Sequence, residues 1–305
     1  MIISTSSFLS LLRFKSIFLS KNRKYLISAT ILLIVSLIFF AYGAFREYDD
    51  GNLKVVYLDI GQGDATYIES PNHTSVLIDG GPENKLLRQM TGSVPFYKKD
   101  IDIIILTNPD TDHLSGFIEL CERYHIGLFF EPGTLASSTA YKSLKKCLLE
   151  KKVPIILARR GMKIDLGKEL GLEFLFPDRD VSSLKKNDGS IVARLRYGNT
   201  EFYFMGDAPK KIERFLINLG DIGTSTMMRV LKAGHHGSNT STDKSFVSLL
   251  RPNFAIISAG LNNRYHHPHK ETLDTLNSQN ITILKTFEEG NISFYSNSQT
   301  IWSTK

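Results

Sequence analysis

Hydrophobic and polar positions divide the chain into two unlike parts. Residues Tyr25 to Phe45 run for 21 positions without a charged side chain. At 1.5 Å per residue, a helix of that length crosses a hydrocarbon layer of roughly 30 Å. From Leu53 onward the pattern changes to short runs punctuated by Gly, Pro, Asn and Asp. Lys54–Ile60 alternates as a half-buried strand does, and Ala65–Glu69 and Ser75–Asp79 read as two more strands. Ile101–Thr107 is a continuous β-branched run, the signature of a strand covered on both faces. Further strands are predicted at Leu172–Phe176, Ile191–Tyr197, Glu201–Met205, Met228–Lys232, Phe254–Ser258 and Ile281–Thr286. Helical spacing marks Leu114–Tyr124, Ser137–Glu150, Pro209–Leu219, Asp243–Leu250 and Lys270–Ser278. A meander of strands followed by alternation of strands and helices predicts an α/β domain with two mixed sheets flanked by helices.

Charge sharpens the division. The formal net charge is +6, but five of the 37 Lys and Arg (Arg13, Lys15, Lys21, Arg23, Lys24) lie in residues 1–45, which carry no Asp or Glu. The remainder holds 32 cations against all 31 carboxylates, so a basic face for gripping nucleic acid is not indicated. Lys145-Lys146 and Lys151-Lys152 read as solvated helix faces. Cations upstream of the apolar run and the acidic Arg46-Glu47-Tyr48-Asp49-Asp50 downstream predict a cytoplasmic segment 1–24, an anchor 25–45 and a linker 46–52. The domain 53–305 then lies outside the membrane. The run exceeds the roughly 7–15 residues of a signal-peptide core, which favours an uncleaved anchor, although Ala41 and Gly43 form a small-residue cleavage pattern. Phe8–Phe18, interrupted by Arg13 and Lys15, reads as an interfacial segment. Two cysteines, Cys121 and Cys147, exclude a disulfide scaffold and any C-x-x-C metal or redox motif, and either pair or pack as small apolar side chains. There is no P-loop, and Gly61-Gln62-Gly63 lacks the third glycine of a dinucleotide fingerprint.

The chemistry gathers at strand ends. Ser75–Ile78 ends in Asp79-Gly80-Gly81, and Ile101–Thr107 in Asn108-Pro109-Asp110-Thr111-Asp112-His113. Glu201–Met205 ends in Gly206-Asp207-Ala208, Met228–Lys232 in Gly234-His235-His236-Gly237-Ser238, and Phe254–Ser258 leads to Tyr265-His266-His267-Pro268-His269. Carboxyl ends of strands converge on one crevice in α/β sheets, and a divalent cation needs ligands from several elements. Singly, each cluster reads as a cap, a turn or a core histidine; five together point to a site.

These segments, with Asp59-Ile60-Gly61-Gln62-Gly63-Asp64-Ala65, Leu77-Ile78-Asp79-Gly80-Gly81, Asp112-His113-Leu114-Ser115-Gly116, Lys232-x-x-His235-His236-Gly237-Ser238 and Asn187-x-x-Ser190-x-Val192-x-x-Leu195, resemble the metallo-β-lactamase superfamily. Within it the chain is similar to the extracellular hydrolase domain of ComEC-type competence DNA-uptake proteins, over roughly residues 53–285. The resemblance implies an αβ/βα four-layer sandwich with one or two divalent ions. It departs from the family's His-x-His-x-Asp-His motif, since Asn108 and Asp110 stand at the two His positions, and Ser190 lies where a later His is expected. The implied metal ligands are Asp112, His113, Asp207, one of His235 or His236 with His235 as the first choice, Asp110 and Asn108, supported from behind by Asp79, Asp64 and Ser190. Oxygen-rich donors favour Mn²⁺ or Mg²⁺ over Zn²⁺ alone. Catalytic roles fall to Asp110 or Asp112, positioning water, and to His236 or His267, stabilising charge or protonating a leaving oxygen. The implied reaction is phosphodiester hydrolysis, with single- or double-stranded DNA as the expected partner. A non-catalytic binding domain and a hydrolase of cell-envelope phosphoesters are the alternatives.

Overall fold

The computed structural model describes residues 23, 25–40, 51–82, 85–95, 98–223 and 227–304, and the chain divides into two units, 1–50 and 51–305. In the first unit residues 25–40 are helical, with apolar side chains such as Leu32 and Phe39 exposed. Among the described residues no helix is long and apolar enough to cross a membrane. The predicted anchor continues through residues 41–45, which lie outside the described residues, as do the Ala41–Gly43 cleavage pattern and the Phe8–Phe18 segment.

The second unit carries two sheets. The first runs, in spatial order, β15 (Ile301–Thr304), β14 (Ile292–Ser296), β1 (Leu53–Tyr57), β2 (Thr66–Glu69), β3 (Ser75–Ile78), β4 (Asp100–Ile105), β5 (His125–Glu131) and β6 (Ile155–Leu157). The second runs β13 (Thr282–Lys285), β12 (Phe254–Ile257), β11 (Met228–Lys232), β10 (Thr200–Phe204), β9 (Val192–Tyr197), β8 (Leu170–Phe176) and β7 (Lys163–Gly167). Strands β3 to β6 are parallel, as are β10 to β13.

Period-2 alternation distributes the apolar side chains over three layers. Val55, Ile105, Phe174, Phe202, Phe204 and Phe294 meet between the sheets. Val56, Leu77 and Ile104, on the opposite pleat, pack under the helices Gly116–Arg123 and Thr139–Glu150 with Phe117, Leu120 and Leu144. Tyr203, Leu231 and Ala255 do the same under Lys210–Asn218 and Lys244–Leu250 with Leu216, Phe246 and Leu250. Both sheets are thus covered on two faces, which is why Ile101–Thr107 shows no polar alternation. The result is the expected four-layer αβ/βα arrangement. Cys121 and Cys147 form a disulfide joining the two helices over the first sheet.

Most predicted elements lie within two residues of their expected bounds. The helix predicted at Leu114–Tyr124 starts earlier and is broken into Thr111–Leu114 and Gly116–Arg123. Gly116 sits at the break because a side chain there would collide with the Gly80 carbonyl, 2.0 Å from a Cβ position. Strands β5, β6, β7, β14 and β15 lie outside the sequence expectations. β6, β7 and β15 are sheet ends of three to five residues with mixed burial, so their alternation is too short to register.

Candidate metal centre

Parallel direction brings the carboxyl ends of β3, β4, β10, β11 and β12 to one edge, and the loop after β1 joins them. Backbone bonds lace these loops together: Asp64 N–H donates to Asp112 O (3.2 Å), Asp79 N–H to Ile105 O (2.8 Å), Gly80 N–H to His113 O (2.6 Å), and His235 N–H to Gly206 O (2.9 Å). Asp79, His235 and His236 all adopt positive φ (59°, 49° and 55°), a conformation costly for residues with a Cβ and held only by surrounding structure.

Two histidines are oriented in the same way. His113 Nδ1 lies 3.0 Å from Asp79 Oδ2, and His236 Nδ1 lies 3.1 Å from Asp64 Oδ1 and from the Ser258 carbonyl. Asp79 is held by the Thr107 N–H (2.7 Å) and hydroxyl (2.6 Å), and Asp64 by the buried ammonium of Lys232. Each ring therefore turns its Nε2 the other way, into a common space. There His113 Nε2 is 3.2 Å from Asp207 Oδ1, and His236 Nε2 is 3.7 Å from that atom and 3.3 Å from Asp112 Oδ2. One donor atom from each of Asp112, His113 and His236 lies within 4.8 Å of the others. His113 Nε2, His236 Nε2 and Asp207 Oδ1 are buried and have no aligned hydrogen-bond partner. Buried polar atoms are almost always satisfied, so three unsatisfied donor atoms converging on one point fit a divalent cation. Imidazoles steered by a carboxylate on Nδ1 are the usual outer support of such a cation.

The electrostatics agree. Burial opposes charge on His113, but Asp207 and Asp79 outweigh it and hold its pKa well above the usual histidine range. Burial opposes charge on His236 as well, yet Asp64 and Asp207 raise it to about 9. Asp207 is held well below the carboxylate range, with His113 and His236 overcoming its desolvation. In both histidines a proton occupies the place where a cation would otherwise balance the carboxylates.

The other sequence-predicted residues are placed differently. Asp110 stands at the N-terminal boundary of the Thr111–Leu114 turn without a capping side-chain bond, and its carboxylate is paired with Lys186. Asn108, fully buried, donates Nδ2 to Asn187 Oδ1 (2.9 Å) and Asp207 Oδ2 (3.3 Å). His235 pairs its Nδ1 with Thr240 Oγ1 (3.1 Å) and leaves Nε2 3.9 Å from Asp207 Oδ2. The ring at the centre of the cluster is His236, which the sequence reading had placed in a catalytic role. Asp64, read as outer support, also lies within one candidate group with His113 and Asp207, although its oxygens already face Lys232 and His236. Ser190 is buried, with no hydrogen-bond partner for its hydroxyl. His267 stacks on Tyr265 (5.7 Å between centroids) and lines, with Asp110, Asp112, Asp207 and His236, a cavity of about 280 Å³. Burial and then the neighbouring His236 lower the His267 pKa to about 4, so its ring is neutral at pH 7. Lys232 and Lys186 were not singled out from the sequence. Lys232 stood in the Lys-x-x-His-His segment, whereas nothing adjacent to Lys186 marks it.

The loop carrying the two histidines is fastened from behind. Glu213, buried on the Lys210–Asn218 helix, accepts the Thr242 N–H (2.8 Å) and the Asp243 N–H (2.6 Å). Burial pushes its carboxyl from 4.5 up to about 7. Between those values the folded chain keeps a proton that the unfolded chain has released. This contribution to stability is complete below about pH 4.5 and lost as pH passes 7, roughly 3 kcal/mol in all. Urea unfolding at pH 4.5 and 8 is expected to show this loss in the wild type and not in Glu213→Gln. Parallel pH dependence in the two proteins would contradict it.

Comparison with known proteins gives a concordant result. A family model described as the metallo-beta-lactamase superfamily matches residues 58–260. ComE operon protein 3 of Bacillus subtilis (strain 168) is 32% identical over 258 residues, covering 79% of this chain and 33% of that protein. Competence protein ComA of Neisseria gonorrhoeae is 26% identical over 249 residues, covering 80% and 32%. The chain thus matches about a third of the length of these relatives. Among solved structures, the metallo-beta-lactamase fold protein YhfI from Bacillus subtilis superposes with a TM-score of 0.52 at 11% identity. That match covers 83% of this chain and all of that one, and it supports the fold alone.

Proposed function

The chain belongs to the metallo-beta-lactamase superfamily, and from that premise we propose that it is a metal-dependent phosphodiesterase, anchored through residues 25–45 and acting on DNA outside the membrane. The observation that carries the reading is the convergence of His113 Nε2, His236 Nε2 and Asp207 Oδ1, buried without partners beside Asp112. Asp112, His113, Asp207 and His236 would hold the ion. Bound there, a divalent cation supplies Lewis acidity, polarising a phosphoryl oxygen and lowering the pKa of water.

The protein's own groups supply the rest. Asp112 and Asp110, both lining the cavity, position the attacking water, and one of the two carboxylates accepts its proton. Neutral His267 donates a ring N–H to the leaving oxygen, which takes its final proton from solvent. Asp79 and Asp64 keep both imidazoles in the orientation that leaves Nε2 free. The motif resemblance to ComEC-type competence DNA-uptake proteins, together with the relative named Competence protein ComA, supports DNA as the substrate. The Cys121–Cys147 disulfide supports an oxidising, extracytoplasmic location.

The test uses the purified full chain. After dialysis it should retain a divalent ion, identified by mass spectrometry. It should hydrolyse bis-p-nitrophenyl phosphate and single-stranded DNA, faster with Mn²⁺ than with Zn²⁺. Protease added outside intact spheroplasts should digest residues beyond 45. No retained ion and no turnover with any metal would leave a binding domain instead. Turnover of envelope phosphoesters but not DNA would reassign the substrate.

A further inference from the structure

The two oxygens of Asp207 face different surroundings. Oδ1 looks toward His113 Nε2 and His236 Nε2 and has no aligned partner. Oδ2 accepts a hydrogen bond from Asn108 Nδ2 at 3.3 Å. The orientation of that amide is fixed at both ends: Asn108 Oδ1 accepts the Asp110 N–H (3.2 Å), while Nδ2 also donates to Asn187 Oδ1 (2.9 Å). Turning it over would set oxygen against oxygen at Asp207 and Asn187, and N–H against N–H at Asp110. An amide nitrogen has no free lone pair, so it cannot ligate a cation.

A pair of catalytic ions, roughly 3.5–4 Å apart, needs a carboxylate to span it and ligands on both sides. On the Oδ2 side the donors are few. Asp110 already carries the ammonium of Lys186. His235 stands 3.9 Å away, a single imidazole where three or four donors are required. On the Oδ1 side, Asp112, His113 and His236 form one candidate group, and Asp207 Oδ1 adjoins both of its imidazoles.

Resting on the metal-dependent reading above, we infer that this chain holds one divalent ion, on the Oδ1 side of Asp207, with the Asn108 amide closing the other side. The second positive charge of the cleft is the ammonium of Lys186, presented to an anionic oxygen of the substrate. Its partner Asp110 and its chain neighbour Asn187 both line the cavity, and the Lys186 side chain is 35% exposed beside them.

Titration of the full chain with Mn²⁺, followed by electron paramagnetic resonance and by metal analysis, tests the ion count. One Mn²⁺ per chain with the spectrum of an isolated ion is expected. Two ions with an exchange-coupled spectrum would overturn the inference while leaving the metal-dependent reading intact. No ion at all would overturn that reading and this one with it. Asn108→Asp places an oxygen opposite Asp207 Oδ2 and should admit a second ion; a count that stays at one would remove Asn108 as the block. Lys186→Met should keep one ion and lower kcat/KM for bis-p-nitrophenyl phosphate by about tenfold to a hundredfold, mainly through KM, with partial recovery in Lys186→Arg. An unchanged KM would remove Lys186 from the substrate site.

Discussion

Asp207→Ala is expected to lose the bound ion and, with it, about a thousandfold or more of phosphodiester hydrolysis. Outer partners of a metal typically contribute 10- to 100-fold in affinity, and a ligand shared by two imidazoles should exceed that range. Asp207 is the carboxylate against which both Nε2 atoms close, and removing it leaves His113 facing Asp79 and Asp64 on the other edge of its ring. Asp207→Asn keeps the volume and separates loss of charge from loss of packing. Both variants should retain the wild-type circular dichroism spectrum while binding no Mn²⁺ by equilibrium dialysis. Asn108→Ala, which removes only the amide on the Oδ2 side, should stay within about tenfold of wild-type affinity. Equal loss in Asp207→Ala and Asn108→Ala would remove the distinction between the two sides of the carboxylate.

Glu201→Ala should produce the largest loss of stability, about 3–5 kcal/mol. Glu201 lies in register between Arg196 on β9 and Arg229 on β11, so three charged side chains line up across three adjacent strands. Its carboxylate accepts the Arg229 Nε–H (2.8 Å) and the Arg196 Nε–H (2.9 Å) while being 1% exposed. Burial works to raise its pKa, but the hydrogen bonds from Arg229 and then Arg196 hold it below the carboxylate range. Truncation removes the carboxylate that two guanidinium groups share in a buried setting, and breaking such a buried pair is the source of the cost. Replacing both partners, Glu201→Leu with Arg229→Met, should cost less than the single truncation. Urea denaturation of the three proteins decides the matter. A loss under about 1 kcal/mol in Glu201→Ala would place the cluster among solvent-screened surface pairs.

The strand-end clusters were legible because a parallel sheet has one rule for them: carboxyl ends share an edge, so Asp79, Asp112, His113, Asp207 and His236 had to meet. Which of two adjacent histidines enters the cluster was not legible. His235 and His236 both sit in left-handed backbone, where the alternation of a strand no longer tells inside from outside, and the turn is set by the His235 N–H bond to Gly206 O and the close packing of Gly237 on Pro268 and of Gly234 on the Ala208 carbonyl. The pairing of Asp110 with Lys186 joins positions 76 apart in the chain and leaves no local trace. The Arg196–Glu201–Arg229 line was invisible for the opposite reason, since alternating charges in a strand read as a wet face, and here that face lies under the Lys244–Leu250 helix, whose Leu250 carbonyl also receives Arg229.

The order of the strands has a bearing on biosynthesis. Asp64, Asp79, Asp112 and His113 come from the first half of the chain, whereas Asp207, Lys232 and His236 come from the second. The first sheet is continued beside β1 by β14 and β15, which follow every strand of the second sheet along the chain. The first half alone therefore holds Asp64 without the ammonium and the imidazole that face its carboxylate, and Asp112 without His236. Such sequence-distant closure is slow to form. The cluster is closed by residues of the second half, and a fragment ending before Lys232 lacks both that ammonium and the second imidazole.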